Sequence, residues 1–214
     1  QELVEKLIQY IEKNEEKWYR VAYYYARDQE VAMDIVQEAI TKALTKISSI
    51  KQAEFMKTWF YRILINTAID EAKRNKKNST FCLEDYLTEA MEEDFTTNIQ
   101  LYEKINNLKP KLKTVILLRF FEDLKLSEIA QVTKTNENTV KIISSFESIK
   151  SRMGGKRRMT KPNFKVLQKI YQSVKIPKEL PYEVNKAIKK TKKKRLSLAT
   201  RTTIKVCTTL VTCF

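Results

Sequence analysis

Histidine is absent from this 214-residue chain, and glycine, proline and cysteine are scarce, with 2, 4 and 3 residues respectively. Without histidine the chain lacks the commonest general base and metal ligand, so an enzyme is the weakest hypothesis, and we expect no cofactor and no metal site. So few glycines and prolines disfavour an all-β protein, which needs many tight turns. Cys82, Cys207 and Cys213 lack metal-ligand spacing, and so few thiols fit a reducing cytoplasm better than a disulfide framework.

Positive charge, by contrast, is abundant. The chain has 41 Lys and Arg against 26 Asp and Glu, a formal net charge of +15. Such an excess predicts a polyanionic partner, either nucleic acid or an anionic membrane surface. No signal-peptide pattern opens the chain, and its start at Gln1 predicts a trimmed N-terminus.

Residues 28–77 contain two contrasting helical patterns. The first is an apolar stripe with acids beside it, and the second is rich in aromatic residues and ends in a run of Lys and Arg. The apolar stripe consists of Val31, Ile35, Ala39 and Leu44, and the acids are Asp28, Glu30, Asp34 and Glu38. An acidic helix beside an aromatic, basic-tailed helix suits an adaptor between a basic protein and an anionic polymer. An ordinary helical bundle with a solvated charged tail would have the same pattern. For Tyr23, Tyr24 and Tyr25, which precede these helices, we favour core packing over base stacking.

Residues 101–152 predict a second helical module. Pro110 begins one helix, Ser127 is the expected N-cap of the next, and Asn136 is the expected cap of a third. The last two, joined by a tight turn, have the helix-turn-helix arrangement, in which the second helix reads base edges with its N-terminal side chains. A generic helical hairpin is the alternative. The candidate base-reading residues are Glu137, Asn138, Thr139 and Lys141.

The sequences of both segments resemble those of bacterial extracytoplasmic-function sigma factors. A-M-D-I-V-Q-E followed by W-F-Y-R-I-L-I-N-T-A-I-D resembles their region 2, and L-L-R-F-F-E-D-L-K-L-S-E-I-A-Q-V followed by N-E-N-T-V-K resembles their region 4. The resemblance implies an all-α fold, with a region 2 bundle at 1–77, a linker at 78–100 and a region 4 helix-turn-helix domain at 101–152. It also implies a cytoplasmic protein that directs RNA polymerase to promoters and catalyses nothing itself.

Site residues follow from the same resemblance. Those that would face the polymerase core are Asp34, Gln37 and Glu38. Those that would engage the promoter minus-ten element are Trp59, Arg62, Asn66, Asp70, Lys73 and Arg74. The four helix-turn-helix candidates would read the minus-thirty-five element. The chain departs from the family where Lys134 replaces the usual glycine of the turn, and where residues 142–147 replace a Ser-Arg pair and further basic residues.

Residues 153–214 extend past the usual end of such a factor. The segment 153–163 is interpreted as a junction, with Met159 as a former start codon joining two genes. The sequence from Phe164 to Lys190 resembles the cytoplasmic N-terminus of membrane-anchored anti-sigma factors of the lysozyme-sensing kind, acting in cis or as a separate chain. In that interpretation it packs between or against the two modules and hides both DNA surfaces. Its anchors are Phe164, Leu167, Tyr171, Val174, Ile176, Leu180, Val184 and Ile188.

The apolar end of the chain, 204–214, is too short to span a bilayer, which takes about 20 residues. One interpretation is the start of a membrane helix of the anti-sigma parent, so that a membrane would be involved only through a continuation of the chain. On the pattern alone, a basic tail followed by a frayed helix fits equally well. Two alternatives stay open at this point. One is a stand-alone helix-turn-helix repressor with a helical dimerisation domain, and the other is a membrane-surface protein attached by the basic tail.

Overall fold

The computed structural model describes residues 2–50, 52–74, 105, 108–145 and 164–211, and in the last segment it describes the side chains of residues 165 and 168–195. Every regular element in these ranges is helical, as predicted. The predicted linker at 78–100 and the junction at 153–163 lie outside them, as do Met159 and the side chains of Phe164, Leu167 and residues 204–214.

The first bundle has four helices: α1 (Glu2–Lys13), α2 (Glu15–Ala26), α3 (Gln29–Thr45) and α4 (Met56–Arg74). Single 3-10 turns at Ile47–Ser49 and Ala53–Phe55 lie between α3 and α4. At its centre Trp18 is fully buried, with ring centroids of Phe60 and Tyr61 at 4.8 and 5.1 Å. Its indole N–H donates to the Ile11 carbonyl at 3.2 Å, so the polar edge of the ring is satisfied. Tyr23, Tyr24 and Tyr25 are buried, which confirms core packing for them.

The second module contains α5 (Pro110–Ile116), a wide π-type turn (Leu117–Phe121), α6 (Leu126–Thr133) and α7 (Glu137–Ser144). The predicted start at Pro110 is confirmed. Asn136 is also confirmed as a cap, because its side chain accepts a hydrogen bond from the Asn138 amide at 2.8 Å.

The prediction that Ser127 caps α6 is wrong. The cap position is Lys125, whose amide donates to the Glu128 carboxylate at 2.8 Å. The helix begins at Leu126, so Ser127 lies inside its first turn, and the Glu128 side chain satisfies the amide of the cap residue from within the helix.

The C-terminal arm, residues 164–211, consists of α8 (Phe164–Gln172) and α9 (Leu180–Val211). α8 packs on the π-type turn and on α2, while α9 packs along α3 and also contacts α1 and α2. Of the predicted anchors whose side chains are described, Ile176 is partly buried and the rest are buried: Tyr171, Val174, Leu180, Val184 and Ile188. The sequence pattern missed Ile170 and Thr191, which are buried as well.

α9 is longer than the pattern predicted. Instead of a short helix followed by a separate apolar stretch, a single helix of 32 residues continues through the basic run. Among the residues that the structure describes, no helix has both the length and the apolar character needed to cross a membrane.

Candidate nucleic-acid and partner interfaces

The exposed side of α3 carries the three predicted polymerase contacts. Asp34 is exposed, and Glu38 forms an ion pair with Lys42 at 2.8 Å. Gln37 is half-buried because its amide donates to the Glu183 carboxylate of α9 at 3.1 Å. The arm therefore already contacts one of the three residues that were predicted to face the polymerase core.

Polar contacts join α9 to the C-terminal half of α3, from Gln37 to Leu44. The Thr191 hydroxyl lies 3.4 Å from that of Thr41, and the Arg195 guanidinium donates to the Leu44 carbonyl at 2.7 Å. The Leu44 carbonyl belongs to the last turn of α3, where carbonyl groups lack a partner within the helix. Between these contacts Val184 and Ile188 are buried. An apolar seam with polar contacts along it thus joins the arm to α3.

The predicted minus-ten residues lie along one side of α4 at intervals of three and four. Asn66, Asp70, Lys73 and Arg74 are exposed, so this part of the helix is open to a partner. The Trp59 ring is half-buried, and its indole N–H donates to the Ser49 hydroxyl at 3.3 Å. The structure thus brings these residues together on one surface, with an aromatic ring at one end and cations at the other.

Helix α6 covers the N-terminal half of that surface. Arg62 donates to the Gln131 carbonyl, the Thr58 hydroxyl lies 3.1 Å from the Gln131 side-chain oxygen, and Lys57 pairs with Glu128 at 2.8 Å. A cleft of about 330 Å³ opens beside this contact. Its polar lining includes Arg62, Asn66, Lys111, Thr114, Thr133 and Lys134. Arg62 is therefore engaged by the second module in this conformation, with one guanidinium nitrogen bonded to the Gln131 carbonyl.

The helix-turn-helix candidates at the start of α7 face solvent. Glu137, Asn138, Thr139 and Lys141 are all exposed, and Ile142 beyond them is 64% exposed. The prediction that the arm hides both DNA surfaces is therefore wrong for α7, because the arm packs on α1, α2, α3 and the π-type turn. The exposed Ile142 gives α7 an apolar patch where phosphate-binding cations were expected.

Glu122 joins the three parts of the molecule. One carboxylate oxygen accepts a hydrogen bond from the Tyr61 hydroxyl of α4 at 2.5 Å, and the other accepts one from the Tyr171 hydroxyl of α8 at 2.6 Å. Lys17 of α2 lies 3.6 Å away. Burial raises the pKa of Glu122, and the hydrogen bonds from Tyr171 and Tyr61 together with the charge of Lys17 oppose that rise. No periodicity pointed to this residue, since it is one of two adjacent acids, Glu122 and Asp123, at the end of an apolar run.

A second contact between the modules lies where α2 meets α5. The Tyr25 hydroxyl and the Thr114 hydroxyl are 2.8 Å apart, and the Lys113 ammonium lies 4.6 and 5.0 Å from the ring centroids of Tyr24 and Tyr25. Burial, and secondly the charge of Arg27, lowers the pKa of Lys113 to about 7. The tyrosines of α2 therefore connect the two modules.

Comparison with known proteins gives family matches in both modules. Residues 10–78 match the family described as Sigma-70 region 2, and residues 98–142 match Sigma-70, region 4. The chain is 42% identical over 137 residues to the RNA polymerase sigma factor SigV of Bacillus subtilis, which covers 63% of this chain and 82% of that protein. It is 30% identical over 142 residues to the ECF RNA polymerase sigma factor SigW of the same organism, covering 59% and 76%.

A further relative is the ECF RNA polymerase sigma-E factor of Haemophilus influenzae, 32% identical over 124 residues, covering 50% of this chain and 66% of that protein. Both modules are matched, in the order that the sequence predicted. The chain therefore belongs to the ECF family of RNA polymerase sigma factors, transcription initiation proteins that bind the polymerase core and promoter DNA and catalyse no reaction themselves.

Proposed function

We propose that the C-terminal arm holds this sigma factor inactive in the manner of an anti-sigma segment. The observation that carries the proposal is the position of α9 along α3, with Gln37 bonded to Glu183 at 3.1 Å. An arm in that position competes sterically with any partner that needs the same side of α3. The same physical effect would follow whether the arm is part of this polypeptide or is supplied by a separate chain.

The proposed polymerase contacts are Asp34, Gln37 and Glu38. Asp34 and Glu38 supply negative charge on a chain whose net charge is +15, so they make α3 locally suited to a basic protein surface. Glu183 of the arm lies against Gln37 and accepts a hydrogen bond from its amide, so a protein partner at this position would meet α9. Docking of the arm and docking of the polymerase would thus exclude each other.

The proposed minus-ten contacts are the α4 residues Trp59, Arg62, Asn66, Asp70, Lys73 and Arg74. An aromatic ring that stacks on an unpaired base, flanked by cations that neutralise phosphates, suits single-stranded DNA. In the closed conformation Arg62 instead donates to the Gln131 carbonyl, so promoter binding would require α6 to leave α4. Glu137, Asn138, Thr139 and Lys141 of α7 are the proposed minus-thirty-five contacts.

The proposed division of the chain is region 2 at 1–77, a linker at 78–100, region 4 at 101–152, a junction at 153–163 and the inhibitory segment at 164–214. The factor would act in the cytoplasm, and the parent of the inhibitory segment would be anchored in the cytoplasmic membrane through a continuation of the apolar end. Membership of the sigma-factor family favours this function over a stand-alone repressor.

The test measures the affinity for core polymerase with the arm docked and undocked. Val184 is fully buried against the bundle, so Val184→Asp places an unpaired carboxylate in the apolar seam and should release the arm. We expect at least a tenfold gain in affinity for the core, by native gel shift or fluorescence anisotropy, because the open state becomes the main population.

Asn185→Asp is the matched control, since it adds the same charge one residue further along on an exposed side chain. Cleavage at a protease site inserted in 153–163, followed by removal of the arm, should give the same gain as Val184→Asp. Equal core affinity for the intact chain, the cleaved chain and Val184→Asp would contradict the proposal.

A further inference from the structure

We propose that Tyr24, Phe121 and Glu122 form a pocket specific for a tyrosine phenol, and that this phenol pocket selects the segment that can close the molecule. The inference rests on the proposed docking of the arm and deepens it, because it names the chemical group by which the sigma factor recognises its inhibitory segment. In this chain the occupant is Tyr171 of α8, which is 2% exposed.

The walls of the pocket fit an aromatic ring. The Phe121 ring stacks on the Tyr171 ring with centroids 5.1 Å apart and planes at 18°. The Tyr24 ring meets Tyr171 edge-on, with centroids 6.2 Å apart and planes at 79°. Both arrangements are favoured geometries for aromatic pairs, so an aliphatic side chain would lose contacts that a ring makes here.

The end of the pocket requires a hydroxyl group. The Tyr171 hydroxyl donates to one oxygen of Glu122 at 2.6 Å, while the other oxygen is taken by the Tyr61 hydroxyl at 2.5 Å and approached by Lys17 at 3.6 Å. Phenylalanine has the right ring but would leave a buried carboxylate oxygen without its donor. Since an unsatisfied buried acceptor costs more than a hydrogen bond gains, the pocket distinguishes tyrosine from phenylalanine.

The pocket is assembled from both modules. Tyr24 belongs to α2, and Tyr61, the second donor to Glu122, belongs to α4. Phe121 ends the π-type turn of the second module, and Glu122 directly follows it. A segment that inserts a tyrosine here therefore binds only the closed pair of modules and stabilises that closure. The kind of partner that fits is a short amphipathic helix with a tyrosine on its apolar face.

The experiment uses the full chain with a protease site in 153–163. After cleavage, the dissociation rate of a labelled arm is measured by its exchange against an excess of unlabelled arm. We expect the Tyr171→Phe arm to dissociate about 10- to 100-fold faster than the wild-type arm, the range of one charge-assisted hydrogen bond. Tyr182→Phe is the matched control, because Tyr182 is 69% exposed and should leave the rate unchanged.

The variant Glu122→Gln provides a second, independent test of the phenol pocket. If the carboxylate is what recognises the phenol, removing the Tyr171 hydroxyl should have a smaller effect in Glu122→Gln than in the wild type. Circular dichroism of each intact variant checks that the chain is folded. Equal dissociation rates for the Tyr171→Phe and Tyr182→Phe arms, or an effect of Tyr171→Phe that is undiminished in Glu122→Gln, would overturn the phenol pocket.

These outcomes are distinct from failure of the proposed function. If arm-free and arm-bound wild-type chains bind core polymerase equally well, inhibition by the arm is wrong whatever the rate for Tyr171→Phe. If the arm inhibits but the hydroxyl makes no difference, only the phenol pocket is wrong.

Discussion

Lys113 is a cation held between aromatic rings in the interior, and it gives the molecule a pH-dependent stability. Its pKa is lowered to about 7 by burial, so the folded chain releases this proton near neutral pH while the unfolded chain keeps it until about pH 10. The unfolded state therefore binds more protons between these values. The contribution of Lys113 to the free energy of unfolding rises with pH across that window.

Lys113→Met should remove this dependence. Between pH 7.5 and 9.5 the stability of the wild type should increase, relative to the variant, by up to about 1.4 kcal/mol per pH unit. Urea unfolding at several pH values measures the difference. Parallel curves for the two proteins would show that Lys113 does not titrate in this window.

Lys134 has the backbone conformation that the sequence comparison anticipated. Its φ and ψ are 51° and 47°, a left-handed conformation at the end of α6 that glycine adopts more readily than other residues. A side chain in this conformation costs about 1 kcal/mol relative to glycine.

Lys134→Gly should therefore raise the free energy of unfolding, by about 0.5–1 kcal/mol. The same replacement at the exposed helical position Lys141 should lower it by about 1 kcal/mol, because glycine is a poor helix former. Thermal unfolding of the two variants measures both effects. A loss of stability in both would show that the Lys134 side chain makes a contact worth more than the strain.

Local rules predicted these single positions well, because caps and left-handed residues depend on a few neighbours. Asn136 and Pro110 are examples, whereas the prediction for Ser127 failed because the helix begins at Leu126, one residue before it. Glu122 was not predictable in this way. Its partners Tyr61 and Tyr171 lie 61 and 49 residues away, and no local pattern brings such residues together.

At the scale of the element, α9 has two sides that differ in composition. Thr191 is buried and bonded within the helix to the Ala187 carbonyl at 2.8 Å, whereas Lys189, Lys190 and Lys193 around it are exposed. Thr191 is also the one uncharged residue between Lys189 and Arg195. Its spacing from Ala187 and Ile188 continues their stripe, and this signal could have extended the predicted contact by a turn.

Thr191→Lys should weaken the arm, because it would place an ammonium group in a buried position against α3. We expect the arm to dissociate from the cleaved chain at least tenfold faster. Replacing Lys190 with Gln, an exposed position in the same run, should change the rate less than twofold. Equal effects of the two substitutions would mean that charge, and not burial, determines docking.

The length of α9 was under-predicted for a physical reason. The basic run breaks the hydrophobic pattern, but Lys and Arg are good helix formers, and neither glycine nor proline follows Pro181. Pro181 itself is tolerated because it lies in the first turn of the helix. Hydrophobic periodicity therefore identified which residues dock and not where the helix ends.

At the scale of the whole molecule, the arm should stabilise elements far from its own sequence. In Val184→Asp we expect the amides of α3 to exchange hydrogen about tenfold faster, because the helix loses the packing along its outer side. The exposed start of α7 should be unaffected, and Asn185→Asp should behave as wild type. Hydrogen-exchange mass spectrometry measures all three. Unchanged protection of α3 would indicate that the arm contributes nothing to the stability of the bundle.

The two modules and their order were predictable from short motifs, because each motif is carried by one or two adjacent helices. Their closed arrangement was not. It depends on contacts such as Lys57 with Glu128 and Tyr25 with Thr114, which are 71 and 89 residues apart. The sequence also gave no reason to expect that the second module, and not the arm, would engage Arg62.

In the proposed inhibited state, the exposed start of α7 makes the two modules unequal in what they can bind. Glu137, Asn138, Thr139 and Lys141 stay accessible while α3 is covered. With the proposed role of these residues, the arm-bound factor would have a reduced affinity for core polymerase but would keep its affinity for duplex DNA. It would then be bound to chromosomal DNA and not free in solution. When the arm dissociates, polymerase would therefore meet a factor that is already bound to DNA.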